Sequence, residues 1–251
     1  MLLQDKSAIV TGGAAGIGRA ICLRMAEEGA RVIIADRDED NGVRVEAEIR
    51  AAGGTAHFVA TDVSDTGAID AMVAETLEIN GRIDILVNNA GVTRRIPILD
   101  ITEEDWDRIQ NINTRGTFFC LQKVARHMKE QNYGRVVNIS SVSGKGVKGS
   151  SNASYAASKA AGIVLARIAA NELGRFGINV NTVVPGTVNT DLIHALDRQV
   201  PGLIDDFKER SSRGELAEPV DIANAVIFLS SPLADSITGQ SINVDNGVLW
   251  D

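Results

Sequence analysis

SAIVTGGAAGIG, residues 7–18, decides how this chain is read. Ser7 to Gly13 is a short run carrying Ile9, Val10 and Thr11, which favour a strand. From Gly16 to Gly29 the apolar positions recur at helical spacing. Between the two stand Gly12, Gly16 and Gly18. Glycine lets backbone approach a phosphate closely, and the N-terminus of the helix behind it favours the negative charge. The spacing is GxxxGxG, not the common GxGxxG, and taken alone such a turn is equally a plain tight turn. Its place between the first strand and the first helix argues for a dinucleotide.

The rest of the chain repeats that unit. Apolar runs at 31–37, 56–63, 83–91, 134–141, 178–186 and 240–247 alternate with helical stretches. The helices are expected at 16–29, from the late thirties to the glycines at 53–54, up to about Asn80, over 102–131, 154–176 and 219–230, with two short polar ones near 190–213. Strands that are apolar throughout, separated by helices, predict an α/β fold: one doubly wound Rossmann-type domain over 1–251. Its sheet is expected to be seven-stranded and mostly parallel, with helices on both faces. Only residues 187–217 leave the rhythm. An excursion of that length in a compact domain is more often functional than not, and it reads as a lid.

Composition narrows the function. The chain has 251 residues, 44% of them hydrophobic, and a net charge of −8. That excludes a general nucleic-acid binder, which needs a basic face. No apolar run is long enough to cross a membrane, and the N-terminus lacks the pattern of a signal peptide. Cys22 and Cys120 are far apart, without CxxC spacing, as in a reducing compartment. The expected setting is the cytoplasm. His57, His127 and His194 are isolated, so no metal site is expected.

Polar groups then collect at strand ends, where open α/β sheets bind ligands. Asp36 ends the second run, 24 residues after Gly12. A carboxylate there accepts hydrogen bonds from a ribose 2′-hydroxyl and repels a 2′-phosphate, although Arg37 beside it blurs that preference. Asp62 ends the third run, NNAG (88–91) the fourth, and the hydroxyls of Ser140 and Ser141 the fifth. Tyr155 and Lys159, one helical turn apart in SYAASK, share a helix face. Alone that pair is an ordinary surface contact. Beside four polar strand ends it reads as a base with its electrostatic support.

Together these residues resemble the short-chain dehydrogenase/reductases, in their branch of about 250 residues, along the whole chain and in the same order. TGGAAGIG (11–18) is similar to the family's TGxxxGxG, with Ile17 inside it. Asp62 and Val63 match the adenine position. Asn89, Ala90 and Gly91 match the motif that supports the central sheet. PGTVNT (185–190) is similar to the PGxxxT loop at the nicotinamide, carrying Pro185, Gly186, Val188 and Thr190. The resemblance implies Asn113, Ser141, Tyr155 and Lys159 as the catalytic set, with Tyr155 and Lys159 also on the cofactor. Asn111 is the alternative to Asn113.

Two departures stand out. Ser141 lies 14 residues before Tyr155, one more than the family's usual spacing, which leaves Ser143 as a rival; the extra residue falls in GKGVKGSSNA. VDNG (244–247) stands where the family has VDGG, and Asn246 tolerates left-handed backbone well enough to keep that turn.

The resemblance implies an NAD-dependent oxidoreductase acting on a secondary alcohol or carbonyl. The polar expected lining, 93–98, 143–151 and 187–213, favours a sugar, polyol or small hydroxy compound. The alternative is a 3-oxoacyl-(acyl carrier protein) reductase, since NNAGVTRR is similar to that subgroup and Arg94 and Arg95 suit an acidic carrier. A dinucleotide-binding regulator without catalysis is the remaining reading. The family's habit implies a homotetramer; no nucleic-acid or membrane partner is expected.

Overall fold

The computed structural model describes residues 1–147 and 151–250. Its centre is a sheet of β1 (Ser7–Thr11), β2 (Arg31–Asp36), β3 (Thr55–Ala60), β4 (Ile85–Asn88), β5 (Gly134–Ile139), β6 (Ile178–Pro185) and β7 (Ser241–Val244). The order is β3-β2-β1-β4-β5-β6-β7. Every pairing is parallel, where the sequence left room for an antiparallel edge. The chain winds outward from β1 to β3, then returns to place β4 on the other side of β1. That reversal opens a crevice at the carboxyl ends of β1 and β4.

Alternation along the strands builds two cores. In β1, Ala8 and Val10 pack with α1 (Gly16–Glu27), α2 (Glu39–Ala51) and α9 (Pro219–Ser230). Ile9 faces the other way, onto α3 (Thr66–Asn80), α5 (Thr117–Gln131) and α6 (Ala153–Leu173). Side chains that point alternately to opposite faces need helices on both. The doubly wound α/β fold read from the sequence is the fold observed.

The strands are shorter than the apolar runs. The fourth run was expected to be strand over 83–91, but β4 ends at Asn88 and the rest of NNAG is loop. The helix expected over 102–131 is there without interruption, as α4 (Glu103–Gln110), a π-helical turn over Asn111–Gly116, and α5. Gly116 packs so tightly on Val63 that a Cβ would lie 2.9 Å from the Val63 carbonyl oxygen. A π-turn inside a helix often marks a functional position.

Residues 187–217 leave the sheet after β6 through α7 (Asp191–Gln199) and α8 (Leu203–Glu209). Both ends are pinned. Val188 bridges Ala217 in parallel, and the Asn189 N–H donates to the Ala217 carbonyl at 2.8 Å. The far end rests on the VDNG turn, where Asn246 adopts φ +56° and donates through Nδ2 to the Glu215 carbonyl at 3.2 Å. Among the described residues no helix is long and apolar enough to cross a membrane, and no group of three or more His, Cys, Asp or Glu could hold a metal ion.

Candidate active site

The glycine-rich turn is seated on the loop after β4. Gly12 has φ +66°, which glycine adopts without strain. A Cβ on Gly12 would lie 2.8 Å from the Ala90 Cα, and one on Gly18 would lie 1.9 Å from the Gly12 carbonyl oxygen. Neither position has room for a side chain. Asn89 fixes the turn by donating through Nδ2 to the carbonyls of Thr11 at 3.1 Å and Gly12 at 2.9 Å. The Thr11 hydroxyl accepts the N–H groups of Asn89 at 3.1 Å and Ala90 at 3.2 Å. Helix α1 begins with no side-chain cap on Ala15, so its first N–H groups and the positive end of its dipole are left for an anion. A pyrophosphate fits this cradle.

At the end of β2, Asp36 accepts the Ala14 N–H and the Asp38 N–H, each at 3.0 Å. The carboxylate braces the glycine turn and lines the cleft as well. Arg37 is exposed beside it. The Asp38 and Asp62 carboxyls are both held below the usual range. Hydrogen bonds from Asn41 and from Ser64 respectively are the main cause, and the Arg37 charge adds to each. Among the described residues Arg37 forms no ion pair and no side-chain hydrogen bond, so its charge acts on these carboxylates only from a distance.

Asn113 lies in the π-turn and is buried. Its Oδ1 accepts the Val92 N–H at 2.8 Å, and its Nδ2 donates to the Val92 carbonyl and the Ser158 hydroxyl, both at 3.0 Å. Ser158 donates onward to the Tyr155 carbonyl at 2.7 Å. One amide thus joins the loop after β4 to α6. Asn111, the alternative, is exposed and outside this network.

On α6, Asn152 caps the helix by accepting the Tyr155 N–H at 2.8 Å. Lys159 Nζ stands 5.6 Å from the centre of the Tyr155 ring and donates to the Ile139 carbonyl at 2.9 Å. The Ser141 hydroxyl accepts the Ser143 N–H at 3.1 Å and hydrogen-bonds the Tyr155 side chain. Ser143 is buried and turned to Ser141 at 3.2 Å. Of the two serines, Ser141 is the one on the phenol. The extra segment between them and Tyr155 includes 148–150, outside the described residues.

Burial pushes the Tyr155 phenol up to about 12, with Ser141 pulling the other way. Burial pushes the Lys159 ammonium down to about 8. The sequence suggested that Lys159 supplies the lowering of the phenol. Its ammonium stands beside the phenol ring while donating to the Ile139 carbonyl.

Apart from Asn113, which sits behind the wall, every residue singled out lines one continuous cleft of about 650 Å³. The glycine turn brings Gly12, Gly16, Ile17 and Gly18. The ends of β2 and β3 bring Asp36, Arg37, Asp62 and Val63, and the loop after β4 brings Asn89, Ala90 and Gly91. Ser141, Tyr155 and Lys159 form the centre, and Pro185, Gly186, Val188 and Thr190 follow β6.

The substrate end corrects an expectation. It was read as polar and poor in apolar anchors, yet Leu192, Ile193 and Leu196 of α7 and Leu203 and Phe207 of α8 line it. The opposing residues are Thr93, Arg94, Arg95 and Arg108.

Known proteins are similar to this chain along its length. A family model described as Enoyl-(Acyl carrier protein) reductase matches residues 12–249. The (2S)-((R)-hydroxy(phenyl)methyl)succinyl-CoA dehydrogenase subunit BbsD of Thauera aromatica is 39% identical over 247 residues, 98% of each chain. The 3-oxoacyl-(acyl-carrier-protein) reductase FabG of Staphylococcus aureus is 38% identical over 250 residues, 98% of each chain. The solved 3-oxoacyl-(acyl-carrier protein) reductase of Brucella melitensis superposes with a TM-score of 0.93 at 30% identity, covering 100% of this chain and 93% of that one. The chain is a short-chain dehydrogenase/reductase.

As a member of that family it is an oxidoreductase, and the family binds a nicotinamide dinucleotide cofactor. Sequence reasoning missed the residues that hold this dehydrogenase/reductase site in place. Asn152 had a signal, since asparagine three residues before Tyr155 is a helix cap. Ser158, joined to Asn113 from 45 positions away, had none. The apolar face of α7 was present as the pattern LIHAL, residues 192–196.

Proposed function

We propose that the protein is an NAD-dependent enzyme interconverting a secondary alcohol and its carbonyl. The observation that carries this reading is the meeting of Ser141, Tyr155 and Lys159 in a cleft continuous with a glycine cradle that Asp36 closes. The bound nicotinamide supplies the hydride chemistry; the chain's own residues bind, orient and handle the proton. The Gly12–Gly18 turn and α1 hold the pyrophosphate. Asp36 accepts hydrogen bonds from a ribose hydroxyl and repels a 2′-phosphate, while the exposed Arg37 beside it pulls the other way. Ser141 holds the substrate oxygen. Tyr155 takes the alcohol proton as its phenolate during oxidation and returns it from its hydroxyl during reduction.

Lys159 binds the nicotinamide ribose through Nζ and adds positive charge near the phenol. Since burial raises the phenol to about 12, oxidation near neutrality needs that oxygen stabilised by Ser141, by Lys159 and by the positive charge of the oxidised cofactor together. Asn113 is placed to extend a proton path from Lys159: a point one Cβ from Gly91 is 3.1 Å from Lys159 Nζ and 3.4 Å from Asn113 Oδ1. Helices α7 and α8, within 187–217, act as a lid over the substrate.

The second reading is a 3-oxoacyl-(acyl carrier protein) reductase, favoured by the names of the staphylococcal and Brucella relatives. Oxidation of a panel of secondary alcohols with NAD and NADP separates the two. NAD is expected to give at least ~10-fold higher kcat/KM, because a charge clash costs more than ~1.4 kcal/mol. Asp36→Ala should narrow that gap. Equal use of both cofactors by the wild type sinks the NAD assignment, and a total lack of turnover would favour a regulator.

The reading extends to a cytoplasmic homotetramer. Phe118 on α5 and Val164 and Ile168 on α6 leave apolar surface exposed, which suits association of copies. A monomer by sedimentation would refute it.

A further inference from the structure

The chain carries a net charge of −8, yet the substrate end of its cleft is lined by Arg94, Arg95 and Arg108. Arg94 pairs with Asp105 at 2.9 Å. Asp105 and Arg108 are three residues apart on α4 and share a face, so that pair brings Arg108 beside the Arg94 loop. Among the described residues, Arg95 and Arg108 have no ion-pair partner. The loop is also tied to the catalytic helix. Asn152 donates through Nδ2 to the Arg94 carbonyl and accepts the Tyr155 N–H through Oδ1 at 2.8 Å. The hydroxyls of Thr93 and Ser151 are 3.0 Å apart. A single asparagine therefore sets the position of the guanidinium loop relative to the phenol.

The lid side of the cleft is hydrocarbon. Leu192 is 56% exposed and lines the cleft with Ile193, Leu196 and Phe207, so an apolar body laid there would remove that surface from water. We infer that the substrate is itself a carboxylic acid: a hydroxy or oxo acid with an apolar body. Its carboxylate is held by Arg95 and Arg108, and its hydrocarbon is covered by α7 and α8. This rests on the oxidoreductase reading of the same cleft. A guanidinium meets a carboxylate in one plane with two hydrogen bonds, which fixes the acid end and leaves the carbinol carbon free to meet Tyr155. Asp191, at the start of α7, also lines the cleft and disfavours a carboxylate on its side. The rim argues against an acidic carrier protein as the occupant. Glu103, Glu104 and Asp107 on α4 and Asp205, Asp206 and Glu209 on α8 are all exposed. Like charges across a protein interface repel, and these six carboxylates flank Arg94, Arg95 and Arg108, which are exposed as well.

The test uses 3-hydroxyoctanoate and its methyl ester as matched secondary alcohols, with NAD. The wild type should oxidise the acid with kcat/KM about 30-fold or more above the ester, as a charge-assisted contact gives. Arg95→Gln and Arg108→Gln should each reduce that ratio, chiefly through KM, and the double variant should bring it within about 3-fold. Shortening the acid should cost about 3-fold per methylene. Calorimetric titration of octanoate against octanamide, into the protein with NAD, reads the same contrast without turnover. Octanoate should bind about 10-fold or more tightly, and only with the arginines present. Turnover with acid and ester used equally, equal binding of octanoate and octanamide, or a preference that survives in the double variant would overturn the inference. Tight, arginine-dependent octanoate binding without any turnover would contradict the oxidoreductase reading alone.

Discussion

Between the Gly12 turn and the Asn89 loop, four hydrogen bonds from or to backbone close the structure, and Gly18 has no space for even a methyl group. Across the cleft, α7 has no fully buried residue, and Leu192 and Val200 are largely exposed. One half is held by contacts that tolerate no change of side chain. The other meets the cleft with side chains that the described residues leave partly uncovered, and the proposed partner for them is the substrate. The cofactor is constant in shape, so its half can be rigid; the substrate half determines which molecule is used and has to admit it. The proposed chemistry sits at the seam, on α6, which is braced by Asn113 and Asn152 rather than by the proposed lid.

The comparison breaks most visibly at the seam. Tyr155→Phe is expected to lower kcat by ~10²–10⁴-fold, the range of a positioned acid–base group. NAD affinity should stay within about 2-fold, since the hydroxyl serves the chemical step. Steady-state rates and fluorescence titration of the cofactor check this, and more than about a tenth of the activity remaining would remove Tyr155 as the base.

Next come paired substitutions in the two halves. Gly18→Ala drives a methyl into the Gly12 carbonyl. It should weaken NAD at least ~10-fold and destabilise the fold by ~1–3 kcal/mol or more, the cost of overpacking. Leu196→Ala, on α7, should leave NAD affinity and melting temperature nearly unchanged while raising substrate KM several-fold. Equal effects of the two on NAD binding would show that the halves are not separately built.

A smaller effect concerns Lys159. Its folded pKa is lowered from 10.5 to about 8, so between those values the unfolded chain binds more protons and stability rises with pH. At pH 7 the buried ammonium is at full cost, of order 3 kcal/mol by that shift. Removing it strands the Ile139 carbonyl, which costs ~1–3 kcal/mol. Lys159→Met should therefore be neutral to ~2 kcal/mol more stable than wild type at pH 7, with the advantage shrinking toward pH 10. Urea titration across that range measures it, and a variant clearly less stable at pH 7 would contradict the burial cost.

The smallest expected effect is in hydrogen exchange. Amides of 190–213 should exchange faster than those of β1 and β4, and slow when NAD and substrate are both bound. Uniformly strong protection there without ligand would contradict the lid.

The same division explains what could be read in the sequence. Gly12, Gly16 and Gly18, Asp36, and the Tyr155–Lys159 pair were legible because their chemistry demands particular residue types at fixed spacing. The π-turn at 111–116 was hidden because Val63, Val92 and Ser158, which make its contacts, lie far away in the chain. The apolar face of α7 was written in Leu192, Ile193 and Leu196, but Asp191, His194, Asp197 and Arg198 around them lowered the average hydrophobicity of the stretch. No local pattern states which face of a surface helix meets a cleft. The choice of Ser141 over Ser143 needed the strand end and the phenol in one frame.

The most direct test of the account is the pH dependence of kcat/KM for alcohol oxidation in the wild type and in Lys159→Met. A base must lose its proton to act, so the rate should rise with pH through the effective pKa of Tyr155. In the wild type that rise should lie well below the phenol's value of about 12 set by burial, because Lys159 and the oxidised cofactor stabilise the phenolate. In Lys159→Met it should move to higher pH, by ~1–3 units for a lost neighbouring cation. A rise at the same pH in both proteins would contradict the assignment of Tyr155 and Lys159 as base and electrostatic support.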